Sequence, residues 1–255
     1  MGKTLKNTNQ EENSKAPEKH IWKGGLKVFL IMALVFAIYF GVRTYFHLNP
    51  MAPDVQDNGA VRVVCVGDSI TQGSSVILRS TETSYPKELQ KLLGDDYQII
   101  NYGHNGRTVI KTGDFPYWGS KFFELSLQTE PDYVLIMLGT NDSKPQNWDA
   151  ESYQLDLSEL VRLYQNLESQ PKVYLLTPPA AFIREGKDTV VYDIDKAIIH
   201  DEVIPSIFAV AKEHQISVID IHSATMEHPE YFKDGVHPNE EGRKALAQYV
   251  YDSVW

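Results

Sequence analysis

Beyond residue 60 the chain alternates short, near-continuous apolar runs with longer stretches in which apolar positions recur at helical spacing. The runs at 61–66, 97–102, 133–138, 172–176 and 217–221 lack the polar alternation of a half-solvated strand, so they predict strands covered on both faces. Between them the pattern predicts helices at 85–93, 152–168 and 195–214, and a last one at 239–252 that Asn239 can cap. In the second helix Leu155, Leu157, Leu160, Leu163 and Tyr164 approximate one face. Strand–helix alternation requires right-handed crossovers. The expected fold is therefore α/β, a three-layer α/β/α sandwich on a five-stranded parallel sheet, with its ligand site at the carboxyl ends of the strands.

The N-terminal pattern differs. Residues 28–42 (VFLIMALVFAIYFGV) carry no charge and make roughly 22 Å of helix against a bilayer core of about 30 Å. Extension to Phe46 brings the stretch to nearly full thickness, with Arg43 at one end, where its stem can reach the headgroups. Lysines outnumber glutamates by six to three in residues 1–27, which the positive-inside rule keeps in the cytoplasm while the C-terminal part is sent outside. A cleaved signal peptide needs a small-residue site after the apolar run, and a lipoprotein needs a cysteine; residues 43–48 (RTYFHL) offer neither. The expected organisation is a cytoplasmic tail at 1–27, a single-pass transmembrane signal anchor at 28–46, a linker at 47–60 containing Pro50, Pro53, Asn58 and Gly59, and one domain at 61–255.

A net charge of −10, with the positive excess confined to the N-terminal segment, leaves an acidic domain ill-suited to nucleic acid. Cys65 is the sole cysteine, so no intramolecular disulfide forms, and its apolar run predicts a buried structural thiol.

Motifs follow the predicted strands. Gly67-Asp68-Ser69-Ile70-Thr71 sets a serine at a strand-to-helix turn, near the positive end of a helix dipole that favours developing negative charge; alone, Ser69 could equally be a helix cap. Asn101-Tyr102-Gly103-His104-Asn105-Gly106-Arg107-Thr108 lets backbone approach a ligand at its glycines, and His104 is a candidate pocket residue or a plain loop residue. Gly139-Thr140-Asn141-Asp142 offers a side-chain amide that can donate to an oxyanion or form an Asx turn. Near the C-terminus, Asp234-Gly235-Val236-His237-Pro238 places a carboxylate three residues before a histidine, where it can accept a hydrogen bond from the imidazole Nδ1–H while Nε2 faces a serine. Asp220, His222 and His228, with Asp234 and His237, could be read as a metal set, but no H-x-x-x-H or His–Cys spacing supports that. The aromatic loop 112–120, with Phe115, Tyr117 and Trp118, is a candidate sugar-stacking wall or surface packing.

The four blocks in this order resemble the SGNH/GDSL hydrolase superfamily over residues 61–253. That resemblance implies a flavodoxin-like sheet, Ser69 as nucleophile, His237 as base, Asp234 as its orienting partner, and an oxyanion hole from the N–H groups of Ser69 and Gly106 and the side chain of Asn141. It also implies no cofactor. The string GTNDSKPQNW (139–148) resembles the branch acting on carbohydrate O-acetyl esters, which points to saccharides outside the cell or in its envelope. A lysophospholipase or thioesterase acting on longer acyl chains, an acyltransferase using the same acyl-enzyme, and a catalytically idle glycan-binding envelope module remain alternatives.

Overall fold

The computed structural model describes residues 19–48, 52–73 and 83–255. Residues 1–18 of the expected tail and 49–51 of the expected linker lie outside the described residues. Contacts divide the chain into two compact units, with the boundary between Asn49 and Pro50. The first unit holds one helix, α1 (Lys19–Leu48). Side chains 25–42 are all exposed, and the window Gly25–Val42 has a mean hydropathy of 2.3, the length and composition of a membrane anchor or a signal sequence.

The second unit is built on five parallel strands: β1 (Val61–Gly67), β2 (Tyr97–Gly103), β3 (Tyr133–Met137), β4 (Lys172–Leu176) and β5 (Ser217–Ile219). Their order across the sheet is β2-β1-β3-β4-β5. The helices are α2 (Ser69–Gln72), α3 (Tyr85–Leu93), α4 (Lys121–Leu127), α5 (Ala150–Gln165), α6 (Lys196–Ile198), α7 (Ile204–His214), α8 (Ile221–Thr225) and α9 (Glu240–Val254). Alternate residues of each strand point to opposite faces. Val64, Val66, Val134 and Ile136 therefore join a core with α5 and α7, while Val63, Cys65, Leu135 and Met137 join a second core with α3 and α9. Both cores exclude water almost completely, which is why the strands read as near-continuous apolar runs. Burial also pushes the Cys65 thiol up from 9.0 to about 12, outweighing the lowering influence of the neighbouring Tyr85 hydroxyl.

Departures from the sequence pattern have local causes. The helix predicted over 195–214 is interrupted by a π turn, Ile199–Val203. Pro205 sits in the first turn of α7, where its missing N–H and its ring oppose an uninterrupted α-helix. The strand predicted to Ile221 stops at Ile219, because the Asp220 side chain accepts the Ser223 N–H at 3.1 Å and starts α8. In α5 the inward stripe is Tyr153, Leu157, Leu160, Val161 and Tyr164, whereas Leu155 is exposed. The aromatic loop mostly packs inward: Tyr117 is buried with its hydroxyl donating to the Tyr102 carbonyl at 2.9 Å, and the Trp118 indole donates to the Val109 carbonyl at 2.7 Å. Phe115 alone of these three rings is largely exposed.

Candidate active site

In a parallel sheet of this order, the crossovers from β1 and β3 leave to opposite sides, opening a crevice at their carboxyl ends. Ser69 follows β1 as the first residue of α2. Its neighbour Asp68 caps that helix, accepting the Ile70 N–H at 2.9 Å. Asn141 follows β3, and the 103–108 turn follows β2.

Although 168 residues separate them, His237 Nε2 lies 2.8 Å from Ser69 Oγ. The other imidazole nitrogen, Nδ1, lies 2.7 Å from Asp234 Oδ2. Asp234 Oδ1 accepts the backbone N–H groups of Val236 at 2.9 Å and His237 at 2.7 Å, which locks the D-x-x-H turn around the carboxylate. With the carboxylate accepting a hydrogen bond from Nδ1–H, the Nε2 lone pair faces the hydroxyl. Burial would raise the Asp234 carboxyl, but the hydrogen bonds from the His237 side chain and from the His237 and Val236 backbones lower it from 3.8 to about 2. Gly235 makes the turn with φ +91, and a Cβ there would strike the Phe182 carbonyl.

Asn141 bridges the other two loops. Its Nδ2 donates to Asp68 Oδ2 and to the Arg107 carbonyl, each at 3.3 Å. Asp68 adjoins Ser69 and Arg107 adjoins Gly106, so the amide ties together the backbone segments that carry those two N–H groups. Gly106 has φ +74, and a Cβ there would meet only the Phe115 ring edge at 3.8 Å, which leaves its backbone open to a ligand. Both Asn141 contacts are long for N–H···O bonds, so a developing oxyanion could take the donor.

Some sequence candidates are engaged elsewhere. His104 is buried; its Nδ1 lies 2.7 Å from Ser120 Oγ, and the Arg107 Nε donates to the same nitrogen at 3.1 Å, so it braces the turn from inside. Asp220 caps α8, His222 lies against His200 at 3.4 Å, and His228 pairs with Glu230 at 2.8 Å, so these three go to partners other than Asp234 and His237. A shallow notch bounded by Ser69, Ile70, Thr83, His237 and Arg243 opens on the serine, while a larger groove lined by Thr225, His228, Tyr231, Leu246 and Tyr249 holds no nucleophile–base pair.

Two features lay beyond the sequence reading. One is the pair of buried carboxylates Asp68 and Asp142. Burial pushes Asp68 from 3.8 up to about 6, against the Ile70 hydrogen bond and the nearby His237 that lower it. Burial likewise pushes Asp142 up to about 7, with the Ile110 and Val109 N–H groups pulling the other way. Asp142 Oδ1 accepts the Ile110 N–H at 2.9 Å, while Oδ2 has no partner among the described residues. Both acids adjoin residues the motifs single out, Ser69 and Asn141, but a motif does not reveal desolvation. The other is Tyr192, whose ring meets the His237 imidazole edge-on, with centroids 5.5 Å apart. It lies in a loop with no motif, so nothing in its spacing marks it.

The carboxylate pair has a measurable consequence. Raised native pKa values mean that the folded state binds protons which the unfolded chain, titrating near 3.8, has released. Stability from Asp68 and Asp142 is therefore expected to be greatest below about pH 4 and to decline as pH rises through about 7. Asp234 acts oppositely, and its contribution is lost only as pH falls from 3.8 through about 2. Urea unfolding between pH 4 and 8, compared with the Asp142→Asn variant, reads this out; an identical slope in the two proteins would contradict it.

The profile of the GDSL-like Lipase/Acylhydrolase family matches residues 65–245. An acetylxylan esterase of Xylanibacter ruminicola is 35% identical over 214 residues, covering 76% of this chain and 43% of that protein. A multidomain esterase of Ruminococcus flavefaciens is 26% identical, covering 81% of this chain and 30% of its own length. The chain thus spans less than half the length of these curated relatives. The structure of a carbohydrate acetylesterase family member from Sinorhizobium meliloti, 24% identical, superposes with a TM-score of 0.61 over 76% of this chain and 97% of that one, a likeness of fold. With the profile spanning most of the sheet and all four motif blocks, the chain belongs to the GDSL-like lipase/acylhydrolase family of SGNH hydrolases.

Proposed function

We propose that this protein is a serine esterase that removes acetyl groups from saccharides outside the cell or in its envelope. Ser69 is the nucleophile, His237 the base and Asp234 its orienting partner. The observation that carries this reading is the unbroken series of contacts from Ser69 Oγ through the imidazole to Asp234, at 2.8 and 2.7 Å. His237 Nε2 takes the hydroxyl proton as Oγ adds to the ester carbonyl. The oxyanion is held by the N–H groups of Ser69 and Gly106 and by the Asn141 amide. Collapse breaks the bond to the alcohol, which leaves with the proton held by His237. Water, deprotonated by the same imidazole, then releases acetate and restores the serine. No step calls for a cofactor or metal.

The 35% identity to an acetylxylan esterase supports a saccharide acetyl ester over a longer acyl chain. Helix α1 supports an anchor, with the lysine-rich end in the cytoplasm and the domain from about residue 61 outside. Membranes carrying the full chain, washed with alkaline carbonate, provide the test. Deacetylation of acetylated xylooligosaccharide and 4-nitrophenyl acetate should stay with the pellet, with 4-nitrophenyl octanoate slower by at least about tenfold. Activity released to the supernatant would remove the anchor. The reverse acyl ranking would favour a lysophospholipase or thioesterase.

A further inference from the structure

The segment joining β4 to α6 contains two successive non-glycine residues in the left-handed region, Tyr192 (φ 63) and Asp193 (φ 59); elsewhere among the described residues such positions occur singly. An aspartate tolerates this conformation, but a bulky tyrosine does not adopt it without cost. Such strain persists only where the surroundings hold it. Here they do. Val190 and Ile194, on either side, are buried with Ala181, Ile199 and Val236, and Val236 immediately precedes His237. Further back, the Phe182 N–H donates to the Gly235 carbonyl at 2.8 Å, and the Phe182 ring meets Phe232 at 5.5 Å. The loop is thus an arch with both feet pinned to the turn that carries Asp234 and His237.

At the crown of the arch, Tyr192 is 57% exposed. A ring packed for stability would be turned inward like its neighbours; this one is left largely in solvent, beside the imidazole at an interplanar angle of 69°. In ester cleavage the imidazole hands its proton to the departing alcohol, so an exposed ring beside the imidazole is within reach of that alcohol. A pyranose presents a patch of C–H bonds on one face and hydroxyls around its rim. The negative face of an aromatic ring complements the first and leaves the second in water.

Resting on the saccharide reading above, we infer that Tyr192 is the platform on which the sugar ring of the leaving alcohol stacks, and so determines specificity for acetylated pyranosides. The test compares kcat/KM for acetylated xylooligosaccharide with that for ethyl acetate, whose alcohol has no ring, in the full-length enzyme. Tyr192→Gly suits the backbone at φ 63 and removes the ring. Its saccharide-to-ethyl-acetate ratio should fall about tenfold, equivalent to about 1.4 kcal/mol, through KM, and Tyr192→Trp should restore it. A wild-type ratio in Tyr192→Gly overturns the inference alone. So does an equal slowing of both substrates with a displaced pH profile, since the ring would then only prop the imidazole. Wild-type enzyme that cleaves ethyl acetate but not the saccharide ester overturns the substrate reading, and the platform with it.

Discussion

Replacing Ser69 with alanine is expected to reduce turnover of an acetyl ester by roughly 10⁴- to 10⁶-fold. Its Oγ lies 2.8 Å from His237 Nε2. With the oxygen gone, the imidazole has no proton to take and the acyl group has nowhere to go. What remains is the rate that oxyanion donors and substrate binding can support with water as nucleophile. The fold should be unaffected, because α2 is capped by the Asp68 side chain rather than by Ser69, and the Asp68 and Asn141 contacts do not involve the hydroxyl. Fluorophosphonate labelling gives a second readout: the wild type should be labelled and Ser69→Ala should not. A variant that keeps either its label or its rate, with an unchanged unfolding midpoint, would refute the assignment of the nucleophile.

Asn141→Ala should lower kcat by about 10²- to 10³-fold, as expected for one lost oxyanion donor. Because the amide also ties Asp68 to Arg107, a lost tether could loosen the site without any role in the reaction. The kinetic split separates the two. A donor that acts on the transition state lowers kcat and leaves KM near its starting value, whereas a loosened site raises KM as well. A drop of less than about tenfold in kcat would mean that the amide serves architecture alone.

The central strands were legible because they are covered on both faces, so residues such as Val63 to Val66 are apolar without interruption. Their ends were less legible, since a single capping side chain such as Asp220 turns an apolar run from strand to helix. The convergence of the motif residues was legible because three of the blocks directly follow strands, and the crevice beside β1 and β3 is where a parallel sheet gathers such loops. What the sequence hid depends on three-dimensional surroundings. Whether His104 faces the crevice or braces its wall is decided by Ser120, sixteen residues on. The Asp68 and Asp142 carboxyls are raised chiefly by burial, which no spacing in the sequence records. Tyr192 reaches His237 because Val190 and Ile194 are sunk into a small core shared with Val236.

The inert thiol of Cys65 offers a handle on the bound state. A cysteine engineered onto the rim of the crevice would be the sole thiolate available to a maleimide dye at neutral pH, since the native one is walled in and titrates near 12. One substitution therefore suffices to attach a single fluorophore beside the arch, and saccharide docking could be followed by its emission without removing any native residue of the core.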